Sequence, residues 1–427
     1  MILFSHPTGN QNARHAALSF ARAGLLEEFW TSINWDESGL LDRCLPARVR
    51  SELQRRSFPA EVRPFIRTLP WREMGRLISA RLRLGSLFEG ESALFSVNAV
   101  YRAMDRHMAR RVLPRLKPAA VYAYEDGAAE TFRAGQRLGS HRFYELPIGY
   151  WRAAQAIFRE ESEREPEWAS TLRGISDSPA KLARKDEELQ LASTIIVPSN
   201  FTKETLSLAP GITAPIYVIP YGAPAVIRNS KPEPNPGNLR VLFVGALGQR
   251  KGLSYLLQAV GLLKSSIELT LIGRKQSETC GPLNDATRRH RWLPSLPHSE
   301  VLREMSRHDV LVFPSLFEGF GLVILEAMSQ GMPVITTPNG GGLDLITHGK
   351  DGFGVPIRSA EAIAEKLELL AGDRALLARM STAASETARR CSWENYGRRL
   401  VEVVTQRVRN PEATETQTAG EVFPRPQ

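Results

Sequence analysis

The feature that most constrains this chain is the rhythm of its second half. Five apolar runs of strand length, TIIVPS, LRVLFVGAL, IELTLIG, DVLVFPS and PVITT, recur between residues 194 and 337. They are rich in β-branched residues and alternate little with polar ones, the pattern of parallel strands covered on both faces. Helical patterns lie between them. Leu253, Leu256, Leu257, Val260 and Leu263 fall on one face at helix spacing, and Ile363, Leu367 and Leu370 do so further on. Strands alternating with helices predict an open, mostly parallel α/β sheet.

The first half is less regular. ILFSHP reads as a strand, followed by the loop TGNQN and a helix from about Ala13 to Leu26. EEFWTSI, AAVYAYED and RFYELPIG read as further strands, the last two around a helix from Ala128 to Leu138. The opening MILFSHP lacks the basic leader and long apolar core of a secretory signal. Residues 227–238, IRNSKPEPNPGN, cannot sit inside a sheet or helix and predict a linker. It separates an N-terminal domain, 1–226, from a C-terminal one, 239–391. A late helix, 392–409, keeps Trp393, Tyr396, Leu400 and Val403 on one face, and the aperiodic tail 410–427 is predicted to be disordered.

Composition narrows the classes. No apolar run reaches the 18 or so residues that a membrane span needs. Cys44, Cys280 and Cys391 are too few and too far apart for a disulfide framework or a zinc site, and fit a reducing cytoplasm. Net charge is +9, yet residues 43–118 alone carry 17 Lys/Arg against 6 Asp/Glu. Arg76, Arg81, Arg83, Arg102, Arg106, Arg110, Arg111 and Arg115 interleave there with Leu77, Ile78, Leu82, Leu84, Val112 and Leu113. The block is either a set of solvated helix faces, a holder for an anionic acceptor, or a peripheral contact with an anionic membrane. It carries no nucleic-acid-binding motif.

Two strand–turn–helix units carry the chemistry. In PSLFEGFGLVILEAMSQGMPVITT, Gly319 and Gly321 let the backbone approach a ligand, and the amides of the helix start can hold a phosphate. Glu318 precedes that anion site and Glu326 lies on the helix after it. A nucleotide diphosphate sugar offers hydroxyls at both ends of a diphosphate, where carboxylates accept hydrogen bonds; the other reading is a glycine turn with two incidental acids. In VLFVGALGQRKGLSYLL, Arg250 and Lys251 stand near a second helix start, as a diphosphate clamp or as a solvated pair. Gly245 and Gly248 give G-x-x-G, which is not the dinucleotide fingerprint.

From about Thr194 to Arg407 the chain resembles the retaining glycosyltransferases of family 4, among the group 1 glycosyl transferases. Their E-x7-E motif is matched by Glu318 and Glu326, and VPSNFTKETL, VIPYG, VGALGQRKG, GGGLDLITHGKDGFGV and CSWENY stand in the family's order. The N-terminal half resembles the acceptor-side domain at HPTGNQN and YELPIGYW. The resemblance implies the GT-B fold, α/β with two Rossmann-like domains facing across a cleft, and a last helix crossing back to the N-terminal domain. It implies transfer of a hexose from a nucleotide diphosphate sugar to an acceptor hydroxyl with retention, by front-face attack. The acceptor would be a glycan, a lipid-linked carrier or a small molecule. Glu318 would bind donor-sugar hydroxyls, Gly319, Phe320, Gly321 and Leu322 would line the donor, Glu326 would hold the ribose and Lys251 would neutralise the diphosphate. Gly9 and Asn10 would face the same cleft.

Two departures stand out. The family's arginine after the first glycine is Ala246 here, and Arg250 is expected to replace it. The family's N-domain histidine has no counterpart in RFYELPIGYW; Glu145 is then either an acceptor-side polar group or a residue without a role, and His6 a cleft or a structural histidine. With no D-x-D and no cluster at metal-ligand spacing, neither metal nor cofactor is expected. A sugar-nucleotide epimerase and a non-catalytic sugar-nucleotide binder are the alternative functions.

Overall fold

The apolar runs become parallel strands of two separate sheets. The structure, a computed structural model, describes residues 1–37, 39, 46–54, 56–172, 177–226 and 237–411. In the first sheet β1 (Ile2–Ser5), β2 (Leu26–Thr31), β3 (Ile66–Thr68), β4 (Ala120–Tyr124), β5 (His141–Glu145), β6 (Thr194–Val197) and β7 (Ile216–Val218) stand in the order β3-β2-β1-β4-β5-β6-β7. The second holds β8 (Leu239–Val244), β9 (Ile267–Ile272), β10 (Arg291–Leu293), β11 (Val310–Phe313), β12 (Val334–Thr336) and β13 (Gly352–Gly354), ordered β10-β9-β8-β11-β12-β13. All ladders pair in parallel. β1, β4, β6, β11 and β12 are buried along their whole length, because helices cover both faces.

Each sheet reverses its order once, between β1 and β4 in the first and between β8 and β11 in the second. Open α/β sheets bind ligands at the carboxyl ends of the strands beside such a reversal. Topology therefore selects two places: the turns after β1 and β4, and the turns after β8 and β11.

Several expectations shift. The first helix spans Gln11–Arg22 rather than running to Leu26. Asn10 caps it, accepting the Ala13 N–H at 2.9 Å, and Gly24 at φ +67° turns the chain into β2. Leu25 and Leu26 continue the apolar spacing of that helix, which is why the sequence alone lengthens it. The basic block contributes a strand as well as helix faces. Ile66–Thr68 pairs with β2 as the edge strand, and helices Trp71–Arg81 and Val97–His107 belong to the crossover that leads to β4. Of the linker, residues 227–236 lie outside the described residues, as do Cys44 and residues 412–427 of the tail. No helix among the described residues is long and apolar enough to cross a membrane.

The two halves also exchange segments. Helix Trp393–Arg409 leaves the second sheet and packs on helix Gln11–Arg22, where the Trp393 and His15 rings stack with centroids 3.9 Å apart. The reverse exchange is not visible in the sequence. Residues 151–171, assigned with the rest of 1–226 to the N-terminal domain, cover the second sheet. Trp168 is buried among Leu239, Phe243 and Leu253, and Glu161 accepts from Gln249 Nε2 at 2.7 Å, Tyr255 Oη at 2.8 Å and Arg358 Nε at 2.7 Å. Continuity along the chain hides this, because nothing breaks the pattern before residue 227.

Candidate active site

β8 and β11 are neighbours, so the turns that follow them lie side by side. The Leu316 N–H donates to Arg250 O at 2.9 Å and ties one turn to the other. The first turn closes as a 3-10 helix, Gln249–Lys251, and the second enters helix Leu322–Ser329. The juxtaposition brings three predicted residues together. Lys251 Nζ contacts Glu318 Oε2, and Arg250 Nη1 lies 3.2 Å from the same oxygen and 3.0 Å from Phe317 O. Lys251 Nζ also sits 4.5 Å from the centre of the Phe313 ring. Burial, followed by the neighbouring Arg250, pushes Lys251 well below the ordinary ammonium value; the Glu318 carboxylate in contact with it opposes that push.

Both helices open on a glycine. Gly252 (φ +66°) and Gly321 (φ +84°) occupy the cap positions of helices Leu253–Leu262 and Leu322–Ser329 and offer no side-chain cap, although in the first helix the Ser254 N–H donates to Gln249 Oε1 at 3.2 Å. Ser199, Ser359 and Ser392 do cap helices elsewhere in the chain. Uncapped first-turn amides point their N–H groups and the positive end of the helix dipole outward.

Glu326 projects from the helix that Gly321 opens, and its Oε1 lies 2.9 Å from His298 Nε2. That hydrogen bond raises the imidazole above its ordinary value. His298 and Glu326 line a cleft of about 1050 Å³ together with Arg274, and Gln11, Arg14 and Phe58 form its other wall. The first wall comes from the second sheet's domain and the other from the first, so the cleft lies between the domains. His298 and Arg274 carry no periodic or motif signal. His298 follows two prolines in LPSLPH, and only the fold brings it to Glu326.

Other predicted residues serve the fold around this centre. Gly319 sits where the domains touch: a Cβ there would lie 1.8 Å from Pro147 O, and its carbonyl accepts from Thr202 Oγ1 at 3.1 Å. The Phe320 ring is buried against Tyr221 at 5.3 Å, and Leu322 is partly buried beside the same core. Gly9 donates its N–H to His6 Nδ1 at 2.9 Å, and Asn10 is engaged as the helix cap. The buried His6 ring meets Tyr124 edge-on at 4.7 Å, and burial lowers its pKa to about 3, so it stays neutral. Glu145 is not on the cleft. It is 1% exposed and accepts hydrogen bonds from Tyr122 and Tyr221, the latter at 2.7 Å, while burial raises its pKa.

Two parallel Rossmann-like sheets with a cleft between them, and the cation–carboxylate cluster at the second sheet's reversal, define a GT-B protein. Residues 227–387, most of the C-terminal domain, match the family described as glycosyl transferases group 1. The chain is 29% identical over 276 residues to an uncharacterised glycosyltransferase, YqgM of Bacillus subtilis, covering 62% of this chain and 71% of that one. It is 37% identical over 123 residues to a sucrose synthase of Acidithiobacillus caldus, but spans only 16% of that protein's length. In fold it is similar to HepE of Anabaena, solved with UDP and glucose, at a TM-score of 0.60 and 17% identity over 95% of this chain and 99% of that one.

Proposed function

We propose that this protein is a glycosyltransferase that moves a hexose from a nucleotide diphosphate sugar to an acceptor hydroxyl with retention of configuration. One observation carries the reading: two cations and a carboxylate converge between two helices that open on glycines at the second sheet's reversal, with a further carboxylate, Glu326, one turn into the second helix. Diphosphate oxygens fit the helix starts, and Lys251 and Arg250 fit the charge that gathers on the departing diphosphate. When those cations turn to the diphosphate, Glu318 is released to the hydroxyls of the donor sugar. Glu326 is placed for the ribose. The new bond forms between the acceptor oxygen and the anomeric carbon on the face from which the phosphate oxygen leaves, and that oxygen takes the acceptor's proton.

The domain contact at Gly319 and Pro147 suits a cleft that excludes water around the reacting carbon. The free, buried Cys280 and Cys391 suit a reducing compartment, which we take to be the cytoplasm. The direct test follows nucleoside diphosphate released from a panel of nucleotide sugars. Glu318→Gln is expected to lower turnover by about 100-fold or more while nucleotide still binds. Full turnover in Glu318→Gln would overturn the assignment.

A further inference from the structure

Large apolar side chains on a water-facing surface are normally scattered singly. Here they are gathered. Of the thirteen that stand exposed among the described residues, seven lie between residues 71 and 97. Helix Trp71–Arg81 and its cap residue Leu82 account for four of them. Its inward face is polar: Glu73 and Ser79 are buried, and Glu73 is held by Arg56 at 2.8 Å and Arg76 at 2.7 Å. Trp71, Met74, Ile78 and Leu82 recur three or four residues apart on the opposite face, 39% to 63% exposed. A helix with acid inside and hydrocarbon outside is inverted with respect to water. The patch continues through the Trp71–Phe95 ring contact to the exposed Leu94 and Val97.

The same surface is basic. Arg81 and Arg83 close the inverted helix, and Arg102, Arg106 and Arg110 follow along the next one, all exposed and, among the described residues, without an ion pair. Of the acids of the region, Asp105 is buried and accepts from the N–H groups of Glu130 and Thr131, Glu91 binds Ser178, and Glu89 stands exposed against these five arginines. Hydrocarbon flanked by unpaired guanidinium groups matches one layered partner, acyl chains beneath anionic phosphates. We infer that this face docks the N-terminal domain reversibly on an anionic lipid bilayer. A second copy of the chain would bring the same cations against each other, and a soluble anion would leave the apolar row unused.

The face is narrower than the basic block suggested, because Val112 and Leu113 are core residues and Leu77 is half-buried. It adjoins the end of the first sheet. Val97 is one helical turn before Tyr101, whose ring meets His6 at 6.1 Å beyond the end of β1. The inference stands independently of the sugar-nucleotide assignment.

Co-sedimentation of the full chain tests it, with vesicles of equal phosphatidylglycerol and phosphatidylcholine against vesicles of phosphatidylcholine alone. Binding is expected to the anionic vesicles only, and to weaken in high salt as the attraction is screened. The double substitution Ile78→Glu with Leu82→Glu is expected to weaken binding about tenfold or more, as is Arg81→Ala with Arg83→Ala. These exposed side chains hold no part of the core, so circular dichroism should be unchanged. Protein that stays in the supernatant with anionic vesicles at low salt would overturn the inference, as would undiminished binding by the double glutamate variant. A dimer that the glutamate variant disperses would instead assign the face to a second copy.

Discussion

Glu326 contacts His298 in this structure and is also the carboxylate proposed for the ribose, so the two uses compete. Below the raised pKa of His298 the imidazolium holds Glu326 as an ion pair; above it the ring is neutral and its grip weakens. Donor affinity should therefore rise as pH passes upward through that value, and His298→Ala should flatten the profile. Calorimetric titration of the donor from about pH 5.5 to about pH 8.5 checks this; an unchanged slope in His298→Ala would contradict it. Residues on glycine turns were legible in the sequence, because the turn, the charge and the helix start are contiguous there: Glu318, Glu326, Arg250 and Lys251. His298 was not, because its contact spans 28 residues. Which of its two readings suits Glu145 is hidden in the sequence for the same reason. An acid at a strand end suggests a site, but the tyrosines that enclose it come from β4 and from Tyr221, which only folding brings together.

Among the elements, the segment from Trp151 to Thr171 has the most distant consequence. It supplies Glu161 and Thr171 to Gln249, the residue directly before Arg250 and Lys251: Thr171 Oγ1 accepts the Gln249 N–H at 2.9 Å, and Glu161 accepts its side-chain amide. A helix from the N-terminal half thus braces the turn that carries the proposed clamp. Glu161 is fully buried and also neutralises Arg358, itself largely buried. Arg358 keeps Glu160 at 2.7 Å, so Glu161→Ala should cost about 1–3 kcal/mol, through the buried Gln249 amide and Tyr255 hydroxyl left without their acceptor, and should also weaken nucleotide diphosphate binding through the loosened turn. Glu161→Gln, which keeps an acceptor, should fall between. Urea denaturation and nucleotide titration read the two effects separately, and a stability loss with intact binding would remove the brace. The alternation of strand and helix made both sheets legible. The destination of this helix was not, since amphipathic spacing says that one face is buried but not against which sheet.

At the scale of the whole molecule, two doubly wound sheets exchange a helix in each direction and have a cleft between their domains. The second sheet's reversal bears the cations and carboxylates; the first bears His6, Gly9 and Tyr124, all packed inward, so that the open N-terminal wall is made instead by Gln11, Arg14 and Phe58. The proposed transfer requires that the turns after β8 and β11 form a diphosphate site. Calorimetric titration with nucleoside diphosphates, on the wild-type chain and on Lys251→Ala, tests that most directly. The account predicts saturable binding of a nucleoside diphosphate, weakened about tenfold or more by Lys251→Ala in keeping with the loss of a charged hydrogen bond, and little change for the bare nucleoside. Binding that is equally tight in Lys251→Ala, or no binding of any nucleoside diphosphate by the wild-type protein, would contradict it.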